Sequence, residues 1–235
     1  ERTMAGSRPP TESASQHLFL GLIVVVVTLY KRYVVSPNGV EMEHVISEGG
    51  LHIFQPFMKK THRTLLNDRN IWQQCVEDVH TGSFWMDRDD KPVDIWEDLA
   101  IEIWKDSEFL TDDVVGYEYW CNILTPEIPL SWHKDKDEKL METKREWSHP
   151  AMGAVLYGYP HEFEGGELEV ITSELPPTNP EAELESIQAS YDRLIILNVT
   201  HWHRVTPITA GFRVTFAVNI WKQRPTSLRV KPRKA

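Results

Sequence analysis

The sequence predicts an α+β fold, with helices packed on one face of an antiparallel barrel or sandwich. Three observations carry this expectation. The chain has 235 residues, enough for one sizeable domain with its own core. The stretch 93–110 has helical spacing and an apolar stripe that must lie on something. From Val115 onward the chain changes to short aromatic and β-branched segments, and helices followed by strands is the α+β order.

Residues 1–16 are rich in Ser, Thr, Pro and charge and are expected to be disordered. The run Leu18–Tyr30, LFLGLIVVVVTLY, has 13 residues, whereas a membrane span needs about 20. Four consecutive valines suit a strand. Lys31 and Arg32 directly after the run suit an anchor whose C-terminal side faces the cytoplasm. Both readings stay open, so residues 18–35 are either a membrane anchor or an extra strand. Residues 28–47 read as a hairpin about Pro37, Asn38 and Gly39. Residues 57–80 are expected to be helical, and Phe84–Pro92 to be a loop. In the helix that follows, Trp96, Leu99, Ala100, Ile103 and Trp104 share one face, with Glu97, Asp98 and Glu102 off it. The strands expected after it are VGYEYWCNIL, GAVLYGY, GELEVIT, DRLIILNVTHWHRV and GFRVTFAVNIW, the last two separated by TPITA. The expected organisation is an N-terminal arm over 1–48, one domain over 49–223 and a basic tail over 224–235.

Composition bounds the function. The net charge of −10 argues against an unaided grip on nucleic-acid phosphates. The two cysteines, Cys75 and Cys121, make neither a disulfide framework nor a zinc pattern, so buried free thiols are expected.

The chemistry lies in the strand half. In LSWHKDKDEKL, strand alternation projects His133 and Asp135 to one side, an imidazole and a carboxylate together. Two such ligands are two-thirds of a facial triad for iron(II). Asp137 shares the alternation but becomes a ligand only if the strand is bulged. In LNVTHWHRV, Ile195, Leu197, Val199, His201, His203 and Val205 share a face, so His201 and His203 compete as the third ligand. After the turn, Arg213, Thr215, Ala217 and Asn219 share a face, and the two long strands are expected to be neighbours. An arginine offers a planar fork for a carboxylate, with Thr215 placed to support it. Asn198-Val199-Thr200 matches a glycosylation sequon but is expected mid-strand, where it is discounted.

His133-x-Asp135, then His203-x-Val205-x-Pro207, then Gly211-x-Arg213-x-Thr215, with Gly165–Leu168 between the halves, resemble the iron(II)/2-oxoglutarate-dependent dioxygenases, the prolyl-hydroxylase-like group included. The resemblance covers roughly residues 115–222. It implies a double-stranded β-helix, a jelly-roll or cupin-like barrel, with N-terminal helices on its major sheet. It implies iron bound by His133, Asp135 and His203, the family-like surroundings of His203 favouring it over His201. It implies 2-oxoglutarate held by Arg213 and Thr215, with Tyr119 or Asn122 contributing from the preceding strand. The two face opposite sides if that strand is regular. His201 and Tyr157 would then stand just outside the ligands. The implied reaction consumes O2, with ascorbate as accessory reductant, and releases succinate and CO2 as a protein side chain or small molecule is hydroxylated. The prolyl-acting branch usually has lysine where this chain has Arg213. Two rival readings share the barrel: a non-catalytic binding module and a cupin-type metal protein. Loops Lys134–Pro150 and Ser173–Glu185 are the expected entrance walls, while His149 and His161 are read as surface or structural residues.

Overall fold

The computed structural model describes residues 30–35, 41–79, 82–160, 162–226 and 228–232. Most of them build two facing sheets. The larger runs β1 (Tyr30–Val35), β2 (Glu41–Ile46), β3 (His52–Gln55), β11 (Arg193–Leu197), β7 (Met152–Tyr157), β14 (Arg213–Trp221), β5 (Gly116–Leu124), β4 (Phe84–Asp87), β15 (Arg229–Val230). It is antiparallel except where β15 joins β4. The smaller runs β10 (Leu184–Ile187), β9 (Leu168–Ile171), β12 (His203–Val205), β6 (Leu130–His133). A ribbon of β8 (Phe163–Gly165) and β13 (Ile208–Gly211) closes one end. The helices are α1 (Lys60–Leu66), α2 (Arg69–Val79), α3 (Ile95–Trp104) and α4 (Glu138–Lys144).

Strand β14 shows why the sheets sit as they do. All nine of its residues are buried, so both faces are covered. Val214, Phe216, Val218 and Ile220 enter the core beneath the helices, with Leu66, Trp72, Trp96, Leu99, Ile103 and Trp104. Arg213, Thr215, Ala217 and Asn219 face the smaller sheet. A second core forms between the sheets from Leu168, Val170, Ile187, Ile195 and Leu197. The predicted stripe of α3 is buried throughout. Asp94 starts that helix by accepting from the backbone N–H of Trp96 and Glu97, both at 3.0 Å.

Several expectations are corrected. Phe84–Asp87 is a strand, not a loop. Phe84, Trp85 and Met86 are all buried, so the half-exposed alternation that marks a strand is missing. The helical stretch 57–80 is two helices, parted where Asp68 accepts from Asn70 N–H at 2.9 Å. Glu97, expected off the buried face, is fully buried. The long strand over 192–205 breaks into β11 and β12. Asn198 turns its side chain back onto Thr200 N–H (3.1 Å) and Thr200 Oγ1 (2.8 Å), a local bond that competes with the ladder. The sequon therefore lies in a turn. β11 and β14 are not neighbours, because β7 lies between them and β12 belongs to the smaller sheet. Ile208–Gly211, expected as a plain turn, is β13.

Cys75 on α2 and Cys121 on β5 are buried as expected, but they are bonded to each other, with Cα atoms 5.7 Å apart. The link closes 46 residues. Cys75→Ser is expected to lower stability by about 2–4 kcal/mol, read as a drop in urea midpoint that reductant reproduces in the wild type.

The hairpin predicted over 28–47 is present as β1 and β2. Residues 1–29, with most of the apolar run, lie outside the described residues. Among the described residues, no helix is long and apolar enough to cross a membrane.

Candidate metal centre

Strands β6 and β12 are antiparallel neighbours, and His133 and His203 are register partners. Their rings meet with centroids 4.2 Å apart. Asp135 follows two residues after His133 and is tied down by its N–H donating to Val199 O at 3.1 Å. Asp135 Oδ1 then lies 3.6 Å from His133 Nε2 and 3.5 Å from His203 Nε2. One ligand atom from each of the three residues falls within 4.8 Å of the others.

Hydrogen bonds fix which atoms face the centre. His133 Nδ1 lies 2.8 Å from Ser131 O, and His203 Nδ1 lies 2.9 Å from His201 O. A carbonyl only accepts, so each Nδ1 carries the proton and each Nε2 is left to bind. Asn219 Nδ2 donates to Asp135 Oδ2 at 2.9 Å, which leaves Oδ1 aimed between the imidazoles. His149 Nδ1 donates to the Asp135 carbonyl at 2.6 Å. Val199 and His149 thus fix the backbone of Asp135, and Asn219 fixes its carboxylate.

The electrostatics suit a cation. Burial and the repulsion of His203 hold His133 below the ordinary imidazole range. Burial pushes Asp135 up, but His203, Asn219 and His133 together bring it below the usual carboxylate value. Burial likewise opposes the charged form of His203, yet the hydrogen bond and charge of Asp135 outweigh it and raise that histidine. The three residues offer two imidazoles and an ionised carboxylate, a donor set that suits iron(II) on one face and leaves other positions open.

The centre opens into a cavity of about 110 Å³ between the sheets. The His133 side chain is 32% exposed, whereas Arg213 at the other end is 2% exposed. The metal end is the open end. Arg213 Nη2 donates to Tyr157 OH at 2.9 Å, and Arg213 Nε has no hydrogen-bond partner among the described residues. A buried guanidinium with a spare donor needs an anion. Thr215 and Asn122 line the same cavity as register partners on β14 and β5. Gly166 (φ +77°) lets the chain close over the arginine, since a Cβ there would meet Ile208 Cδ1 at 2.5 Å and Arg213 Cδ at 3.1 Å.

Most of the expected residues therefore converge: His133, Asp135, His203, Arg213, Thr215 and Asn122, with Tyr157 bonded to the arginine. Tyr119 does not. β5 is regular, so Tyr119 points to the helix side and donates to Glu97 at 3.0 Å. His201 contributes its carbonyl and is absent from the cavity wall. Asp137 caps α4 and accepts from Thr226, away from the centre. His161 lies outside the described residues. Asn219, His149 and Glu118 were missed. Asn219 was legible in the alternation with Arg213 and Thr215. His149 acts from an irregular segment, and no sequence signal marks it.

Glu118 is the register partner of Asn219. It accepts from Ser83 Oγ (2.6 Å) and Trp221 Nε1 (2.9 Å). Burial pushes its carboxyl up to about 7, against those bonds and one from Asn219. A carboxyl raised in the folded state is most favourable below its unfolded value of 4.5, and the contribution is lost as pH rises to about 7. Stability is expected to decline over that window by at most about 1.4 kcal/mol per pH unit. Glu118→Gln should flatten the decline, measured as urea midpoint against pH.

Asn219→Leu removes the donor that orients Asp135. Metal affinity is expected to fall about 10- to 100-fold, measured by manganese titration, and metal-free stability by about 1–3 kcal/mol, because a buried carboxylate loses its donor.

No family model matches the chain, and no curated protein does. Solved structures do. One is a 2OG-Fe(II) oxygenase family oxidoreductase from Burkholderia pseudomallei, 17% identical, with 50% of this chain covered and a TM-score of 0.33. The chain spans about half (48%) of that protein's length. A Pseudomonas putida prolyl-4-hydroxylase is 16% identical, covering 77% of this chain and 88% of that one, at TM-score 0.42. HygX from Streptomyces hygroscopicus, solved with nickel and 2-oxoglutarate, is 12% identical over 73% of this chain and 81% of that one, at TM-score 0.44. At these identities and scores the likeness carries no weight of its own, and the site is read from its residues.

Proposed function

We propose that this chain is an iron(II)- and 2-oxoglutarate-dependent dioxygenase on a double-stranded β-helix, hydroxylating a protein side chain or small molecule. One observation carries the reading. A single cavity joins three converging ligand atoms at its open end to a buried, part-unsatisfied arginine at its closed end. A metal-binding module has no use for the arginine, and an anion-binding module has none for the triad.

His133, Asp135 and His203 hold the iron in this reading. Arg213 takes the distal carboxylate of 2-oxoglutarate, with Thr215 and Asn122 beside it and Tyr157 accepting from one guanidinium nitrogen. Iron held by these three residues would supply the redox chemistry that couples O2 reduction to loss of the 1-carboxylate of 2-oxoglutarate. The balance is 2-oxoglutarate, O2 and R–H giving succinate, CO2 and R–OH. Leu168, Leu197, Val199 and Val205 give the cavity an apolar wall. Residues 49–223 form the catalytic domain in this reading, between an N-terminal arm and a basic tail.

The test is turnover. Purified protein given iron(II), ascorbate, O2 and 2-oxoglutarate is expected to form succinate and CO2, slowly without prime substrate. His133→Ala and His203→Ala should abolish it. If iron and 2-oxoglutarate both bind and no succinate forms with any candidate substrate, the chain is a non-catalytic module.

A further inference from the structure

A second cavity, of about 280 Å³, lies on the opposite face of the larger sheet from the metal centre. It shares no lining residue with the metal cavity. Strands β2, β3 and β11 form its floor, and the chain leaving α3 forms its wall.

Rings dominate it. His44 stacks on Phe54 with centroids 4.2 Å apart and planes 7° from parallel. His52 stacks on His44 at 5.3 Å and meets Phe109 edge-on at 5.1 Å. His44 Nε2 and His52 Nδ1 are 3.2 Å apart, a hydrogen bond in which one nitrogen must be unprotonated. The imidazole pair therefore carries at most one charge, and burial holds His52 below its ordinary value although the charge of Glu108 opposes that.

The rim is acidic. Glu102, Asp106 and Glu108 line the cavity against one cation, Lys105. Lys105 is committed to Glu102 at 3.0 Å, and Lys59 adds a second cation to that glutamate at 3.5 Å. Among the described residues, no cation lies within ion-pair distance of Asp106 or Glu108.

We propose that this cavity binds an organic cation of the quaternary or methylated ammonium class, held against the phenyl rings of Phe54, Phe57 and Phe109 and countered by Asp106 and Glu108. Phenyl rings carry partial negative charge on their faces and attract a weakly hydrated cation. A small metal ion would find no converging ligand set, since among the described residues only His133, Asp135 and His203 bring three ligand atoms within 4.8 Å of one another. An anion would meet three carboxylates, one of them already paired with lysines, and no arginine. A neutral apolar ligand would fit the walls but gain nothing from the rim. The inference is independent of the dioxygenase reading.

Choline and 3,3-dimethylbutan-1-ol have nearly the same shape and differ in charge. Calorimetric titration of the full chain with each is the test. Choline is expected to bind at least about tenfold more tightly. Glu108→Gln, and Phe109→Leu, which keeps an apolar wall, should each weaken choline severalfold and leave the neutral isostere and manganese binding unchanged. An unchanged urea midpoint shows that the variants fold. Equal binding of the two probes would mean a merely apolar pocket and overturn the proposal. So would no choline binding, or choline binding that both variants leave intact.

Discussion

Asp135→Ala is expected to weaken iron(II) binding by more than about a hundredfold and to abolish succinate formation, because ligand loss exceeds the 10- to 100-fold cost of losing a ligand's support. Asp135 is the only anionic member of the triad, and its Oδ1 lies within 3.6 Å of both imidazole nitrogens. Without it, two imidazoles with ring centroids 4.2 Å apart face a dication with no compensating charge. The variant should also lower the pKa of His203, since the bond and charge of Asp135 are what raise it above the ordinary value. Manganese titration reads the first effect and histidine NMR the second. Asp135→Asn separates charge from shape: it should lose metal affinity nearly as fully while keeping the backbone ties to Val199 and His149.

Arg213→Met is expected to raise the dissociation constant for 2-oxoglutarate by about a hundredfold or more, while manganese affinity changes less than about threefold. Truncating one partner of a buried, hydrogen-bonded charge pair typically costs about 2–5 kcal/mol. Arg213 is 2% exposed, so water cannot substitute for it. A second signature follows from its unpartnered Nε. The ligand-free wild type buries a part-satisfied cation, and 2-oxoglutarate relieves that cost. The co-substrate should therefore raise the melting temperature of the metal-loaded wild type strongly and that of the variant little. Arg213→Lys keeps the charge but loses the planar fork, and an intermediate loss of about tenfold is expected.

Much of this centre was legible in the sequence because it lies on strands, where a period of two assigns faces directly. Arg213 with Thr215 and Asn219 follow from alternation alone; alternation also pairs His133 with Asp135, although β6 ends at His133 and a backbone bond to Val199 sets Asp135. His203 over His201 does not. The turn from Asn198 to Trp202 breaks the alternation, and only local bonding of Asn198 with Thr200 shows why His201 contributes a carbonyl and His203 a ring. Tyr119 failed for the opposite reason. β5 is perfectly regular, so Tyr119 and Asn122 could not both face the cavity, and Asn122 does. The Cys75–Cys121 bond was hidden because its partners lie on different elements, and only the packing of α2 across β5 brings them together. β4 was missed because a strand buried on both faces shows no alternation. The glutamate of α3 that sits beneath Tyr119 was invisible for a similar reason: its partner comes from another element.

The central claim is that triad and arginine form one site with two ends. Titration of 2-oxoglutarate into the protein under anaerobic conditions, with and without manganese(II), tests it most directly. One shared site predicts tight binding that needs the metal and is lost in both Asp135→Ala and Arg213→Met. Binding of equal strength without metal, or binding that survives either substitution, would contradict it.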